Sequence, residues 1–247
     1  MGYDKGPSLS GARIEDADFS GARIHAPNFE GAKITDAWFY GADMSGDLEG
    51  LRLNGVEVAP LVAAELERLF PERAMLRVTE PGALADAWIM IEDRWRVTLA
   101  RARALREESV FERVDEEWSF VETLRHLIMA TDCWLRRMIK GIDRPYHPWG
   151  LTGSWLSDPA SWGIDYAANP SLDEVLEVRR ERMSQVKHTI AAVTPDELKR
   201  VCVPPAAPGH PSKPHSVLEC LHVILNEEWE HNQYAARDLA SLEARAL

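Results

Sequence analysis

The stretch WSFVETLRHLIMATDCWLRRMI, residues 118–139, predicts a long amphipathic helix. Ser119 and Glu122 have the spacing of a capping box, in which each side chain bonds the backbone N–H of the other residue. Apolar residues then recur at helical spacing to about residue 140, namely Leu124, Leu127, Ile128, Trp134, Leu135 and Met138. His126 lies among them, so its imidazole is predicted to face the protein interior.

The rest of the chain after residue 58 shows the same period. Residues 83–107, 171–193 and 216–242 each predict an amphipathic helix, and the last two open with capping-box spacings. A shorter helix is predicted at 59–70. Four helices of about 20 residues, with one long connection at 141–170, predict a mainly α protein built on an up-and-down-type four-helix bundle.

The first fifty residues follow a period of five, which neither a helix nor a strand produces. A small residue recurs at Ala12, Ala17, Ala22, Pro27, Ala32, Ala37 and Ala42. A larger apolar residue recurs at Ile14, Phe19, Ile24, Phe29, Ile34, Phe39 and Met44. Seven consecutive matching units make this pattern specific.

This pattern resembles the pentapeptide-repeat family. The resemblance implies a right-handed β-helix with four repeats in each coil and with the small and central apolar residues pointing inward. The repeats fill less than two coils, and solenoid units need stacked neighbours, so we predict a short β-solenoid leaning on the rest of the chain. An irregular arm wrapped on the core is the alternative. The predicted domains are the repeat segment at 1–57, a short helix and linker at 58–82, and the bundle at 83–247.

The composition and charge of the chain argue against several classes of function. The 247 residues carry a formal net charge of −12, so they create no basic field to attract nucleic-acid phosphates. No apolar run approaches the roughly 20 residues of a membrane span, and the N-terminus lacks the apolar core of a signal peptide. Cys133, Cys202 and Cys220 are far apart and odd in number, which predicts no disulfide framework. We expect a cytoplasmic protein without nucleic-acid or membrane partners.

The hexapeptide NEEWEH, residues 226–231, contains the residues most suited to chemistry. Glu227 and His231 are four residues apart on one helix face, about 6 Å apart at Cβ, and could bind one metal ion together. His126 would add a ligand from another helix. Two imidazoles and one carboxylate are a common catalytic zinc set, and they also suit iron, nickel or manganese.

Each candidate ligand has a plainer interpretation. Glu227 and His231 could be an exposed pair on a solvated face, and His126 could be a core histidine bonded to a carbonyl. Glu228 is an alternative carboxylate ligand. No arrangement of Ser, His and Asp, or of Cys and His, supports a protein nucleophile.

Residues 118–139, together with NEEWEHNQYAARDL at 226–239, are similar to the DinB-like superfamily of four-helix bundles, in particular to a branch with a pentapeptide-like N-terminal segment. The resemblance implies a divalent metal, zinc first and nickel, iron or manganese as alternatives, held by His126, Glu227 and His231. Many relatives have His at the position of Glu227, which implies a shifted metal preference.

The resemblance also implies a function, because several members of this superfamily are transferases that use mycothiol or bacillithiol. We therefore predict a metal-dependent transferase that activates a low-molecular-weight thiol for attack on a small electrophile. Tyr146, His147 and Trp149 are candidates for the wall of the substrate pocket. A metal-dependent hydrolase and a non-enzymatic, stress-associated binding protein are the alternatives. The resemblance also allows a homodimer.

Overall fold

The fold is mainly helical in the computed structural model, which describes residues 8–24, 27–153, 156 and 158–245. Its α-helices are α1 (Ala59–Leu69), α2 (Pro81–Ala104), α3 (Phe120–Thr131), α4 (Leu172–Ala192), α5 (Pro195–Lys199) and α6 (Val217–Arg245). Short 3-10 helices lie at Pro71–Arg77, Glu107–Phe111 and Ala160–Trp162. The prediction of a mainly α protein is confirmed. Every helix in this part of the chain is too short or too polar to cross a lipid bilayer.

Capping boxes fix where three of the long helices begin. At the start of α3 the N–H of Glu122 donates to Ser119 Oγ (3.3 Å), and the N–H of Ser119 donates to Glu122 Oε2 (2.9 Å). Reciprocal bonds of the same kind join Ser171 with Glu174 before α4, and Ser216 with Glu219 before α6. These bonds satisfy N–H groups that have no partner inside the helix.

The helix that begins at Phe120 changes its period after Thr131. Residues Asp132–Ile139 form a π-helix, and the N–H of Lys140 donates to the carbonyl of Leu135 five residues earlier (3.0 Å). The sequence predicted a regular helix to about residue 140, which is wrong for these eight residues. Over so short a span, apolar spacing does not distinguish 3.6 residues per turn from a wider turn.

Four long helices enclose the main core. α2 packs against α4 and α6, and α3 packs against the same two helices. Trp88, Ile91 and Trp95 of α2 are at most 2% exposed and face this core, as their helical spacing predicted. Because α3 and α6 are neighbours, side chains on their facing surfaces can meet.

The repeat segment is a regular series of turns. The N–H groups of Ala12, Ala22, Ala32 and Ala42 each donate to the carbonyl three residues earlier, so one hydrogen-bonded turn recurs every ten residues. Gly11, Gly21, Gly31 and Gly41 occupy these turns with φ from 70° to 72°, a conformation that disfavours residues with a Cβ. Two five-residue units of the sequence thus correspond to one geometric repeat of ten residues.

The predicted inward burial of the repeat's apolar residues is not found among its described residues. Ile14, Phe29 and Ile34 are 53%, 56% and 59% exposed. Repeat units need neighbouring units or another surface to cover such side chains. Arg23 pairs with Asp115 of the helical part (3.2 Å), and both side chains are largely exposed. The stacked β-solenoid therefore stays a prediction.

Two short hairpins complete the fold. β1 (Arg52–Leu53) and β2 (Val56–Glu57) are antiparallel, joined by Asn54 and Gly55 with φ of 49° and 81°. Both positive φ values suit the tight turn for which Asn-Gly is preferred. β3 (Val201–Cys202) pairs with β4 (His215–Ser216) immediately before α6. The predicted domain limits stay predictions, and residues 1–7, 25–26, 154–155, 157 and 246–247 lie outside the described part.

Candidate metal centre

Three predicted ligands come together where α3 faces α6. His126, Glu227 and His231 each offer one ligand atom, and these atoms all lie within 4.8 Å of one another. His126 Nε2 is 3.1 Å from Glu227 Oε2, and His231 Nδ1 is 3.4 Å from the same oxygen. All three side chains are partly buried, at 16% to 30% exposure, so the cluster remains accessible to small molecules.

Backbone carbonyls fix the orientation of both imidazoles. His126 Nδ1 is 3.0 Å from the carbonyl of Leu151, and His231 Nδ1 is 2.9 Å from the carbonyl of Glu227. A carbonyl can only accept a hydrogen bond, so each Nδ1 donates, and Nε2 is the nitrogen available to a metal when the ring carries a single proton. This arrangement is typical of metal-binding histidines, whose other nitrogen donates to a carbonyl or carboxylate.

The contact between His126 and Glu227 supplies a test of whether a cation fits. With Nδ1–H donated to the carbonyl of Leu151, His126 turns Nε2 toward Glu227 Oε2, 3.1 Å away. Two acceptors at this distance repel each other unless a proton or a metal cation lies between them. The donor set therefore fits a divalent metal.

The charges of the cluster match this role. Burial alone would raise the pKa of Glu227, but its hydrogen bond to His126 and its electrostatic interactions with His126 and His231 outweigh burial and lower that pKa. Glu227 is therefore a carboxylate at neutral pH. Burial, reinforced by His126, lowers the pKa of His231 to about 4, so its imidazole is neutral at pH 7. Metal binding requires both of these protonation states.

An aromatic side chain that the sequence reasoning missed covers the two imidazoles. The ring centroid of Trp118 lies 4.7 Å from that of His126 and 6.3 Å from that of His231, at an interplanar angle of 23° to His231. Tyr234 approaches His231 edge-on at 5.7 Å. Trp118 directly precedes the N-cap Ser119, a position from which apolar residues pack back onto their helix. That position is the sequence signal from which the packing of Trp118 on this part of α3 could have been predicted.

Comparison with known families decides the affiliation of the chain. Residues 90–235, more than half of the chain, match the DinB superfamily. The chain belongs to the DinB superfamily. Residues 9–49 match pentapeptide repeats described as nine copies. Both resemblances noted from the sequence are thereby confirmed. Among curated proteins and solved structures, none matches the chain significantly.

The DinB match spans all three candidate ligands. Glu228, the alternative carboxylate ligand, is instead paired with Arg179. Arg179 Nη1 and Nη2 donate to the two carboxylate oxygens of Glu228 at 2.7 and 2.8 Å. Both side chains are almost completely buried. Because this bidentate ion pair engages both oxygens of Glu228, Glu227 is the better candidate for the carboxylate ligand.

The three predicted pocket residues of this DinB protein lie in the connection between α3 and α4, and their hydrogen bonds attach that connection to the rest of the fold. Tyr146 is buried, and its hydroxyl accepts from the N–H of His210 (3.1 Å) and donates to the His210 carbonyl (3.2 Å). His147 donates its backbone N–H to Asp132 (2.8 Å), and its Nδ1 accepts the N–H of Trp149 (3.1 Å). The bonds named here go to residues outside the ligand cluster, so substrate binding by these three residues stays a prediction.

The same connection nevertheless borders the cluster of His126, Glu227 and His231. Arg125, next to His126, donates Nε to the carbonyl of Trp149 (2.9 Å), and the N–H of Leu151 donates to the carbonyl of Arg125 (3.3 Å). The Leu151 carbonyl then fixes His126. Residues 149–151 therefore run alongside the turn of α3 that carries His126.

Proposed function

We propose that this DinB-superfamily protein is a metal-dependent transferase that joins a low-molecular-weight thiol, of the mycothiol type, to a small electrophile. The proposal includes zinc as the first candidate metal and a four-helix bundle made of α2, α3, α4 and α6. The observation that carries it is the convergence of His126, Glu227 and His231, whose ligand atoms lie within 4.8 Å of one another.

The donor set supports a catalytic rather than a purely structural metal. Structural zinc sites are usually closed by four protein ligands, whereas catalytic sites have three and keep a position open. Two nitrogens and one oxygen also suit nickel, iron or manganese. A divalent metal held there would lower the pKa of a coordinating thiol, so that the thiolate predominates at neutral pH.

The chain's own cysteines support an external thiol as the nucleophile. Cys133, Cys202 and Cys220 are all buried. Cys133 lies on the same helical segment as His126, but burial raises its pKa well above the ordinary value, with Asp132 and Glu227 adding to this effect. Cys133, buried in the closed fold with this raised pKa, is a poor nucleophile. The attacking sulfur would therefore come from a bound small molecule.

The remaining side chains would shape the environment of that thiol. Trp118 covers the two imidazoles and would limit the access of water to the metal centre. Glu227, ionised at neutral pH, would contribute the single negative charge of the ligand set. We propose that Tyr146, His147 and Trp149 belong to the pocket wall, since residues 149–151 adjoin His126.

The first experiment measures metal content in protein purified without an affinity tag. We expect one divalent ion per chain in wild type, and its loss in His126→Ala and in His231→Ala. His188→Ala is the matched control, because His188 is exposed on α4 and bonds within its own helix. Metal that is absent from wild type, or retained by both ligand variants, contradicts the metal centre.

The second experiment measures consumption of a model electrophile, 1-chloro-2,4-dinitrobenzene, with and without added thiol. We expect thiol-dependent turnover by wild type and by His188→Ala, and none by His231→Ala. Hydrolysis of ester substrates without thiol would instead support the hydrolase alternative. A protein that binds metal but turns over neither substrate class contradicts the transferase.

A further inference from the structure

Two cysteines that are far apart in the sequence meet in the fold. Cys202 belongs to β3, and Cys220 lies in the first turn of α6. Both side chains are packed in the main buried core, at 2% and 0% exposure, and the two thiols influence each other's protonation. The pairing of Cys202 with His215 across the hairpin places β3 beside the start of α6. The sequence spacing predicted no disulfide framework, and it did not reveal this contact.

The two thiols differ in their surroundings. Arg200 Nη1 lies 3.5 Å from Cys202 Sγ. Burial raises the pKa of Cys202, but the Arg200 guanidinium opposes that effect. Burial and the neighbouring Cys202 raise the pKa of Cys220 to about 12. A cation beside a sulfur favours the thiolate, so Cys202 is the better nucleophile of the pair.

The position of Cys202 allows a small reagent to reach it by local opening. β3 and β4 contain two residues each, and the neighbours of Cys202 are largely exposed, Val201 at 60% and Val203 at 71%. Short surface hairpins with few buried contacts open at a much lower free energy than the core. Cys202 packs on the main core in the closed fold, so opening of the hairpin is what would expose it. Cys133 instead lies on the long helical segment, packed with Met129, Tyr146 and Ile164 in a separate buried cluster.

We propose that Cys202 and Cys220 are a redox modification site, a dithiol that a low-molecular-weight disulfide converts into an intramolecular disulfide. The Cys202 thiolate attacks one sulfur of the reagent, forming a mixed disulfide and releasing one thiolate. Cys220 then loses its proton, attacks Cys202 Sγ and releases the second thiolate. The two protons lost by the cysteines go to the two released thiolates. The protein loses two electrons, and the reagent gains them.

The Cys202–Cys220 disulfide would link the β3–β4 hairpin covalently to α6. It would also join the two ends of the loop that runs from β3 to β4. This loop is already tied to the rest of the protein: Arg137 donates to the carbonyls of Pro205 (3.1 Å), Ala207 (2.6 Å) and Pro211 (3.4 Å). The same loop carries His210, which interacts electrostatically with Glu227 of the metal centre. The proposal does not depend on the transferase activity.

The test treats reduced, desalted full-length protein with bis(2-hydroxyethyl) disulfide under native conditions. Remaining thiols are then alkylated with N-ethylmaleimide in denaturant, and the products are identified by intact mass and peptide mapping. We expect wild type to lose two alkylatable thiols, to retain the one at Cys133, and to yield a peptide pair joined through Cys202 and Cys220. The melting temperature should rise, because a cross-link restricts the unfolded chain.

Single variants provide the matched controls. Cys133→Ser should form the same disulfide as wild type, whereas Cys220→Ser should stop at a mixed disulfide on Cys202. If Cys220→Ser does not fold, the peptide map of wild type and Cys133→Ser still decides the question. Native protein that keeps all its thiols alkylatable, although denatured protein reacts with the reagent, overturns the proposal. Wild type that accumulates only mixed disulfides overturns it as well.

Discussion

His126 of α3 and Glu227 of α6 face each other with Nε2 and Oε2 3.1 Å apart, while a carbonyl fixes the other nitrogen of His126. We expect Glu227→Gln to separate metal binding from folding. Metal affinity should fall more than about 100-fold, since loss of a supporting residue outside the ligand set already costs 10–100-fold. The metal-free variant should stay within about 1 kcal/mol of wild type, because the Gln amide can donate to His126 Nε2. Titration with zinc and urea unfolding in chelator measure the two quantities.

Glu230→Gln is the control for this prediction, because Glu230 is exposed on the same helix. It should bind metal as wild type does. Wild-type affinity in Glu227→Gln would remove Glu227 from the ligand set. A loss of more than about 3 kcal/mol from the metal-free variant would show instead that its main role is structural.

The lowered pKa of His231 predicts acid sensitivity of the metal-free protein. Its pKa is about 4 in the fold, against an ordinary value of 6.5. Between these values the unfolded chain binds a proton that the folded chain does not, so the free energy of unfolding rises with pH across this window. The stabilisation that follows from the lowered pKa of His231 is complete above pH 6.5. As the pH falls toward 4, the free energy of unfolding decreases by up to about 3 kcal/mol.

Urea unfolding of chelator-treated protein at pH 7.0, 5.5 and 4.5 tests this dependence. Other carboxylates also titrate at low pH, so the informative quantity is the difference between wild type and His231→Gln at each pH. We expect the wild-type advantage at pH 7 to shrink at pH 4.5. An advantage that is constant across the three pH values would contradict the buried neutral imidazole.

The buried pair of Arg179 and Glu228 predicts a stability effect without a direct metal role. Glu228→Gln leaves a buried guanidinium without its counter-charge, so unfolding should become easier by about 3–5 kcal/mol. The matched control is Glu177→Gln in α4, whose partner Arg180 is exposed like Glu177 itself. That change should cost less than about 1 kcal/mol. Denaturant unfolding measures both, and equal effects would refute the distinction.

Glu227, Glu228 and His231 also show which features of the site can be predicted from the sequence. The helices were predictable because caps and apolar spacing are local signals, and Glu227 and His231 pair within one helix. The sequence could not exclude Glu228 on local grounds, since adjacent helical residues point only about 100° apart. What excludes it is Arg179 of α4, a contact that no spacing encodes.

Other features depend on tertiary contacts alone. Residues 202 and 220 meet through a hairpin of two-residue strands, too short to leave a clear pattern in the sequence. The burial of the repeat's apolar residues depends on what packs against them, and Ile34, for example, is 59% exposed. The five-residue period predicts the turns but contains no information about that burial.

Trp118 predicts an optical signal for metal binding, because its ring lies 4.7 Å from that of His126. Paramagnetic cobalt bound at the cluster should quench the fluorescence of this tryptophan more than that of distant ones. We expect Trp118→Phe to lose most of the cobalt-dependent quenching while binding cobalt with similar affinity, since Phe preserves an aromatic cover. Trp38→Phe, in the repeat segment and 88% exposed in wild type, should leave the quenching unchanged. Equal quenching in wild type and Trp118→Phe, with cobalt stoichiometry confirmed by elemental analysis, would place the bound metal away from His126 and His231.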